Sequence, residues 1–173
     1  MIPWNLKIVK CLNFIKLDKR AKIFYSFIMI KVLFVCHGNI CRSPMAEFVL
    51  KDKLNSLGIH DYLVESAATS YEEIGNGVYP PIKKLLNSKN ISTKGKTARH
   101  LELSDYDNYD YIIGMDTANL RYMLNYFPLH DKLSKLTEDD VADPWYTERY
   151  NDCYLHIQRG CDELINRILK WLK

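Results

Sequence analysis

Between Ile30 and Val35 the chain carries five apolar side chains in six positions, interrupted only by Lys31, and this run limits what the rest of the sequence can build. A strand with one face in water alternates apolar and polar residues. A strand this apolar has to be covered on both faces, as in a parallel sheet flanked by helices. The run stops at Cys36. Further on, Ser43 and Pro44 make an N-cap and first-turn pair for a helix through about Leu57, since proline's missing N–H costs nothing there, and Gly58 closes it. The pattern is strand, loop, helix.

The same alternation continues. A second strand is expected around Tyr62 to Ala67, and Pro80 and Pro81 can open a helix carrying Ile82, Leu85 and Leu86. Tyr111 to Met115 reads as another buried strand, followed by Asp116 or Thr117 as the cap of a helix through about Tyr126. Tyr154, Ile157, Cys161, Leu164, Ile165, Ile168 and Leu172 recur mostly at three- and four-residue steps and predict a long final helix packed on the sheet. Repeated strand and helix argue for a doubly wound, mainly parallel α/β sandwich, in which sites lie beyond the carboxyl ends of the strands.

Length and charge set further bounds. A chain of 173 residues, 47% apolar or aromatic, suits one domain with a sizeable core, expected over residues 29–173. The formal charge of +3 is unevenly placed: residues 1–28 hold Lys7, Lys10, Lys16, Lys19, Arg20 and Lys22 against Asp18. Residues 29–173 are left with 18 basic and 20 acidic groups, which gives no electrostatic case for binding nucleic acid. The basic, apolar-rich segment 1–28 could lie on an anionic membrane surface. Its pattern is not cleanly helical, and the favoured expectation is a poorly ordered extension or a start site assigned upstream of Met29. No run of about 18 apolar residues spans a bilayer, and the five cysteines lack the spacing of a zinc site or a secreted disulfide scaffold, which fits a reducing cytoplasm.

The chemistry is concentrated in Cys36, His37, Gly38, Asn39, Ile40, Cys41, Arg42 and Ser43, placed between a buried strand and a helix N-terminus, where backbone N–H groups and the helix dipole favour an anion. A helix N-terminus and a guanidinium lower a cysteine's pKa by up to several units, so Cys36 is expected to ionise near neutral pH. Arg42 can fold over the loop and grip two phosphate oxygens through its planar fork. Gly38 and Asn39 both tolerate positive φ, and the Ser43 hydroxyl can donate to the Cys36 sulfur. Taken singly, each residue has an ordinary explanation: a small buried thiol, a surface charge, a helix cap. In this order, at the end of a buried strand, they point together to a nucleophile in a phosphate loop.

The octet followed by Pro44, Met45, Ala46 and Glu47 resembles the signature loop of the low-molecular-weight protein tyrosine phosphatases, and the resemblance extends over residues 29–173. Ser66-Ala67-Ala68-Thr69-Ser70, Ala98-Arg99, Asp110 to Asp116 and Asp143-Pro144-Trp145-Tyr146 are similar to further blocks of the family. The resemblance implies a three-layer sandwich around a central, mainly parallel four-stranded sheet, with the phosphate loop after the first strand. It implies Cys36 as nucleophile, Arg42 as phosphate clamp and Asp143 as general acid, acting without metal or cofactor on phosphotyrosine-containing proteins, as a monomer or weak dimer. On the residues alone, Asp143 is an acid made rigid by the following proline, but Asp139, Asp140 and Asp116 remain open. Trp145 and Tyr146 would wall the substrate ring. The resemblance also suggests a reversible disulfide between Cys36 and Cys41, while Cys153 and Cys161 read as core.

Some relatives place a histidine that supports the loop asparagine where this chain has Lys96, which leaves that support in question. Rival functions fare less well. Arsenate reductases with this loop need two mid-chain cysteines, and none lies between Cys41 and Cys153. Arginine phosphatases of the family tend to carry threonine at the position of Ile40. A phosphocysteine carrier would not need Asp143, and a non-catalytic binding module would need neither the nucleophile nor the acid.

Overall fold

The computed structural model describes residues 29–171, so the expectation of an N-terminal extension over 1–28, like the contribution of Leu172, lies outside the described residues. The elements are β1 (Ile30–Cys36), α1 (Arg42–Ser56), β2 (Tyr62–Ala68), α2 (Pro80–Asn87), α3 (Asp105–Asn108), β3 (Tyr111–Gly114), α4 (Thr117–Tyr126), β4 (Leu133–Lys135), α5 (Pro144–Thr147) and α6 (Tyr150–Trp171). The four strands form one sheet in the order β2-β1-β3-β4, and every pairing is parallel.

β1 sits inside this sheet, with Val32 paired to Val64 of β2 on one side and to Tyr111 of β3 on the other. Its alternate side chains feed two separate cores. Val32 and Phe34 pack with residues of α1, α2 and α6, whereas Leu33 and Val35 pack with Leu101, Tyr106, Met123 and Phe127 under α3 and α4. All four are fully buried, which is why the run has no room for polar alternation. Burial of each stabilises the fold by roughly 1.5–3 kcal/mol in transfer free energy.

The chain passes from β1 to one neighbour, β2, and then crosses to the other, β3. This reversal opens a crevice at the carboxyl end of β1, the place where doubly wound sheets bind ligands. Cys36 is the last residue of β1. α6 follows its predicted stripe, with Tyr154, Ile157, Cys161, Leu164, Ile165 and Ile168 all buried, and Cys153 beside them.

Two local expectations need correction. α1 begins at Arg42, with Cys41 at its N-cap and no side-chain cap, so Ser43 lies within the first turn and its hydroxyl is used elsewhere. β3 ends at Gly114, not Met115, although the Met115 N–H still donates to the Val35 carbonyl. No helix among the described residues is long and apolar enough to cross a membrane.

α6 approaches the segment after β4 very closely. A Cβ added at Gly160 would lie 2.5 Å from Leu136 Cγ and 3.0 Å from Thr137 Cγ2, and Leu136 is itself buried. Gly160→Ala is therefore expected to lower stability by about 1–3 kcal/mol through overpacking, read as a reduced urea midpoint with unchanged slope.

Candidate active site

Residues 37–41 join β1 to α1 and, with Ser43 in the first turn of α1, wrap the Cys36 sulfur. The Asn39 N–H donates to Cys36 Sγ at 3.3 Å, and Ser43 Oγ lies 3.0 Å from the same sulfur. Asn39 takes the left-handed conformation, φ 57°, which its short polar side chain tolerates better than most. Gly38 has no such backbone requirement. Glycine leaves room there for a close neighbour, because a Cβ would meet Glu73 Cγ at 3.1 Å and push that side chain outward. Of the two positive-φ candidates, only Asn39 fills that role.

Asn39 is buried and held from every side. Its Nδ2 donates to Ser43 Oγ and to Ser66 Oγ, each at 2.8 Å, and its Oδ1 accepts the Arg99 N–H at 3.2 Å. Ser66 Oγ in turn donates to Glu47 Oε2 at 2.6 Å. Glu47 is a buried carboxylate, and it is matched by Lys51 Nζ at 2.6 Å and Lys96 Nζ at 3.2 Å. Lys96 Nζ also donates to the Ser66 carbonyl at 2.9 Å. Burial pushes Lys96 below the usual lysine value, against the opposing pull of Glu47. Lys96 therefore does support the loop asparagine, through Glu47 and Ser66, which answers the question raised by the missing histidine. A serine followed by two alanines near the end of the second strand was the available signal for Ser66.

Arg42 is 4% exposed, and its guanidinium bridges two more strand ends. Nη1 donates to Asp116 Oδ2 at 2.5 Å, just beyond β3, and to the Val141 carbonyl at 3.1 Å. Nη2 donates to Asp143 Oδ2 at 2.6 Å, beyond β4. Both aspartates are helix caps: Asp116 Oδ1 accepts the Asn119 N–H at the start of α4, and Asp143 Oδ1 accepts the Trp145 N–H at the start of α5. Burial works against the Arg42 charge, but Cys36, Asp143 and Asp116 outweigh it and raise its pKa above the ordinary arginine value. Arg42 Nε is buried and has no hydrogen-bond partner among the described residues.

These groups open into a cleft of about 140 Å³ lined by Cys36, His37, Gly38, Ile40, Cys41, Arg42, Glu72, Glu73, Asp143, Trp145 and Tyr146. Of the four acids that sequence reasoning left open, Asp143 lines the cleft and Asp116 shares its arginine. Asp140 is held outside by Lys135 and Thr117, and Asp139 does not line the cleft. His37 is exposed and lies 3.0 Å from Glu72. Trp145 packs against Tyr79 at a ring separation of 4.9 Å, while Tyr146 is 82% exposed. Glu72 and Glu73 were not singled out by sequence reasoning. Among the described residues, no group of three or more His, Cys, Asp or Glu is disposed to hold a metal ion.

A thiol and a guanidinium in one small cleft, beside a carboxylate, can bind a phosphate and attack it. In comparison with known proteins, the family model described as low molecular weight phosphotyrosine protein phosphatase matches residues 31–173. The chain belongs to this family. The low-molecular-weight protein-tyrosine-phosphatase PtpA of Staphylococcus aureus is 38% identical over 149 residues, covering 82% of this chain and 96% of that protein. Among solved structures of the family, SP-PTP, the low molecular weight protein tyrosine phosphatase from Streptococcus pyogenes, superposes with a TM-score of 0.75 at 37% identity, covering 80% of this chain and 93% of its own. DARP, the drosophila arginine phosphatase, gives 0.75 at 27% identity over 80% of this chain and 98% of its own. The low-molecular-weight phosphatase fold thus accounts for the all-parallel sheet and for the position of the loop at its switch point.

Two predictions follow from this geometry. Lys96→Met leaves the buried Glu47 with Lys51 as its remaining cation, and a loss of about 2–4 kcal/mol in stability is expected, with Lys96→Arg recovering most of it in the same denaturation assay. Burial pushes the Cys153 thiol up to about 12, and raises Cys41 and Cys161 as well. A thiol stays protonated and unreactive below its pKa, so iodoacetamide at pH 7.5 is expected to leave these three unmodified in the folded protein and to label them in urea, as read by mass spectrometry.

Proposed function

We propose that the protein hydrolyses phosphotyrosine on protein substrates through a phosphocysteine formed at Cys36. The observation that carries this reading is the half-satisfied edge of the Arg42 fork. Nη1 is committed to Asp116 and Val141, whereas Nε has no partner and Nη2 has only Asp143. The Nε–Nη2 edge is the one that grips two oxygens at once. An arriving phosphate would take this edge, supply the acceptor Nε lacks, and release Asp143 Oδ2 from its ion pair.

The reaction then has two steps. Cys36 Sγ attacks phosphorus in line, the bond to the phenolic oxygen breaks, and Asp143 gives that oxygen its proton. Asp143, now a base, takes a proton from water as the water attacks the phosphocysteine and frees the sulfur. Ser43 Oγ and the Asn39 N–H, both within reach of Cys36 Sγ, stabilise the departing thiolate. His37, Gly38, Ile40 and Cys41 contribute as the remaining parts of the phosphate loop. Trp145, braced by Tyr79, offers the better-supported wall for the tyrosine ring. A reducing cytoplasm would keep Cys36, Cys41, Cys153 and Cys161 as the thiols they are here, and the protein would work as a monomer or weak dimer.

Phosphoarginine is the competing substrate, because DARP carries that activity in its name. Ile40, a bulky residue in the loop itself and one of those lining the cleft, favours the flat phenol over the guanidino group. Steady-state phosphate release from phosphotyrosine, phosphoserine and phosphoarginine peptides decides between them, with phosphotyrosine expected to lead. Cys36→Ser is expected to abolish turnover. Asp143→Ala should lower kcat by about 10²–10⁴ on phosphotyrosine and by much less on an aryl phosphate whose leaving group needs no proton. Equal activity of wild type and Cys36→Ser would sink the mechanism, and a preference for phosphoarginine would overturn the substrate.

A further inference from the structure

Part of the cleft wall is made by the segment after β2, and that part is acidic. Glu72 and Glu73 both line the cleft, and the lining contains no lysine and only Arg42 as arginine. Arg42 is already met by two aspartates. The wall therefore presents carboxylates that no fixed cation of the cleft balances. His37 takes one oxygen of Glu72, at 3.0 Å, and Glu72 keeps a 72% exposed side chain.

These carboxylates are held in place. The Thr69 N–H donates to the Cys36 carbonyl at 2.9 Å and the Ser70 N–H to the His37 carbonyl at 3.0 Å, so the segment is fastened to the phosphate loop. Tyr71, the next residue, stacks on His100 with ring centroids 3.8 Å apart and planes 6° from parallel. Beyond the glutamates, the Gly75 N–H donates to the Ala98 carbonyl and the Ala98 N–H to the Asn76 carbonyl. Asn76 Nδ2 donates to Glu73 Oε2 at 2.7 Å, fixing that side chain against Gly38.

Resting on the reading of this cleft as a phosphotyrosine site, we propose that Glu72 and Glu73 select protein substrates whose phosphotyrosine is flanked by lysine or arginine. The phosphate carries its charge down to Arg42, and the neighbouring residues of the substrate must then pass the rim. A basic neighbour meets an unbalanced carboxylate there, and an acidic neighbour meets repulsion. Both effects act across water and are screened by salt.

The test uses three phosphotyrosine peptides that differ only in having lysine, glutamine or glutamate on both sides of the phosphotyrosine. At low ionic strength, kcat/KM is expected to fall in the order lysine, glutamine, glutamate, with about tenfold between the extremes. In about 0.5 M salt the spread should shrink to about twofold or less. E72Q with E73Q should remove the spread, and E72Q alone, which leaves the Glu73–Asn76 bond in place, should remove part of it. E72K should favour the glutamate peptide. No spread in the wild type at low salt, or an undiminished spread in the double variant, overturns the proposal while turnover of the glutamine peptide leaves the phosphatase reading standing. Failure to turn over even the glutamine peptide overturns that reading and this inference with it.

Discussion

A guanidinium withdrawn almost wholly from water must be met by opposite charge, and the architecture around Arg42 follows from that requirement. The two aspartates that meet it stand at the starts of α4 and α5, and each divides its oxygens between the arginine and the first turn of its own helix. The ion pairs thus tie three segments that are far apart in sequence to one point. Removing either carboxylate would leave the buried guanidinium with a single counter-charge and also uncap a helix.

A second buried charge does comparable work on the other side of the loop. Glu47 sits on α1, among side chains that exclude water, and is stabilised by two lysines. Its orientation fixes Ser66, Ser66 fixes the Asn39 amide, and Asn39 holds the left-handed turn that points backbone at the sulfur. A chain of satisfied hydrogen bonds of this kind rigidifies a site because no single member can move without stranding another. The cleft is accordingly preorganised from both sides before any substrate arrives.

The parts of this protein governed by local pattern were legible in its sequence. β1, β2, α2, α4 and α6 announce themselves through apolar periodicity, Pro80 and Asp116, because each depends on which of its own faces meets the core. β4 does not, being three half-buried residues whose strand character comes only from pairing with β3. In the loop, Cys36, Arg42 and Ser43 were readable as a set. The partners that hold them were not: Asp116 on the arginine, Lys96 beneath Glu47, and the acidic rim at Glu72 and Glu73 arise from contacts across tens of residues. Gly38 shows the same limit, since its small size answers to Glu73 and not to its own φ. The helix start shifted for a related reason, as the Ser43 hydroxyl faces the Cys36 sulfur instead of capping α1.

The parallel order β2-β1-β3-β4 has a consequence for how this molecule comes to be active. Parallel neighbours cannot be joined by tight turns, so each pairing closes a long stretch of chain, and β4 stands at the edge of the sheet, paired with β3. Arg42 and Asp143 are 101 residues apart. Contacts of such length are slow to close, and the cleft needs both Arg42 and Asp143 in place. Recovery of turnover on refolding is therefore expected to report contacts of long sequence separation, and a chain cut before Asp143 lacks a carboxylate that lines the cleft.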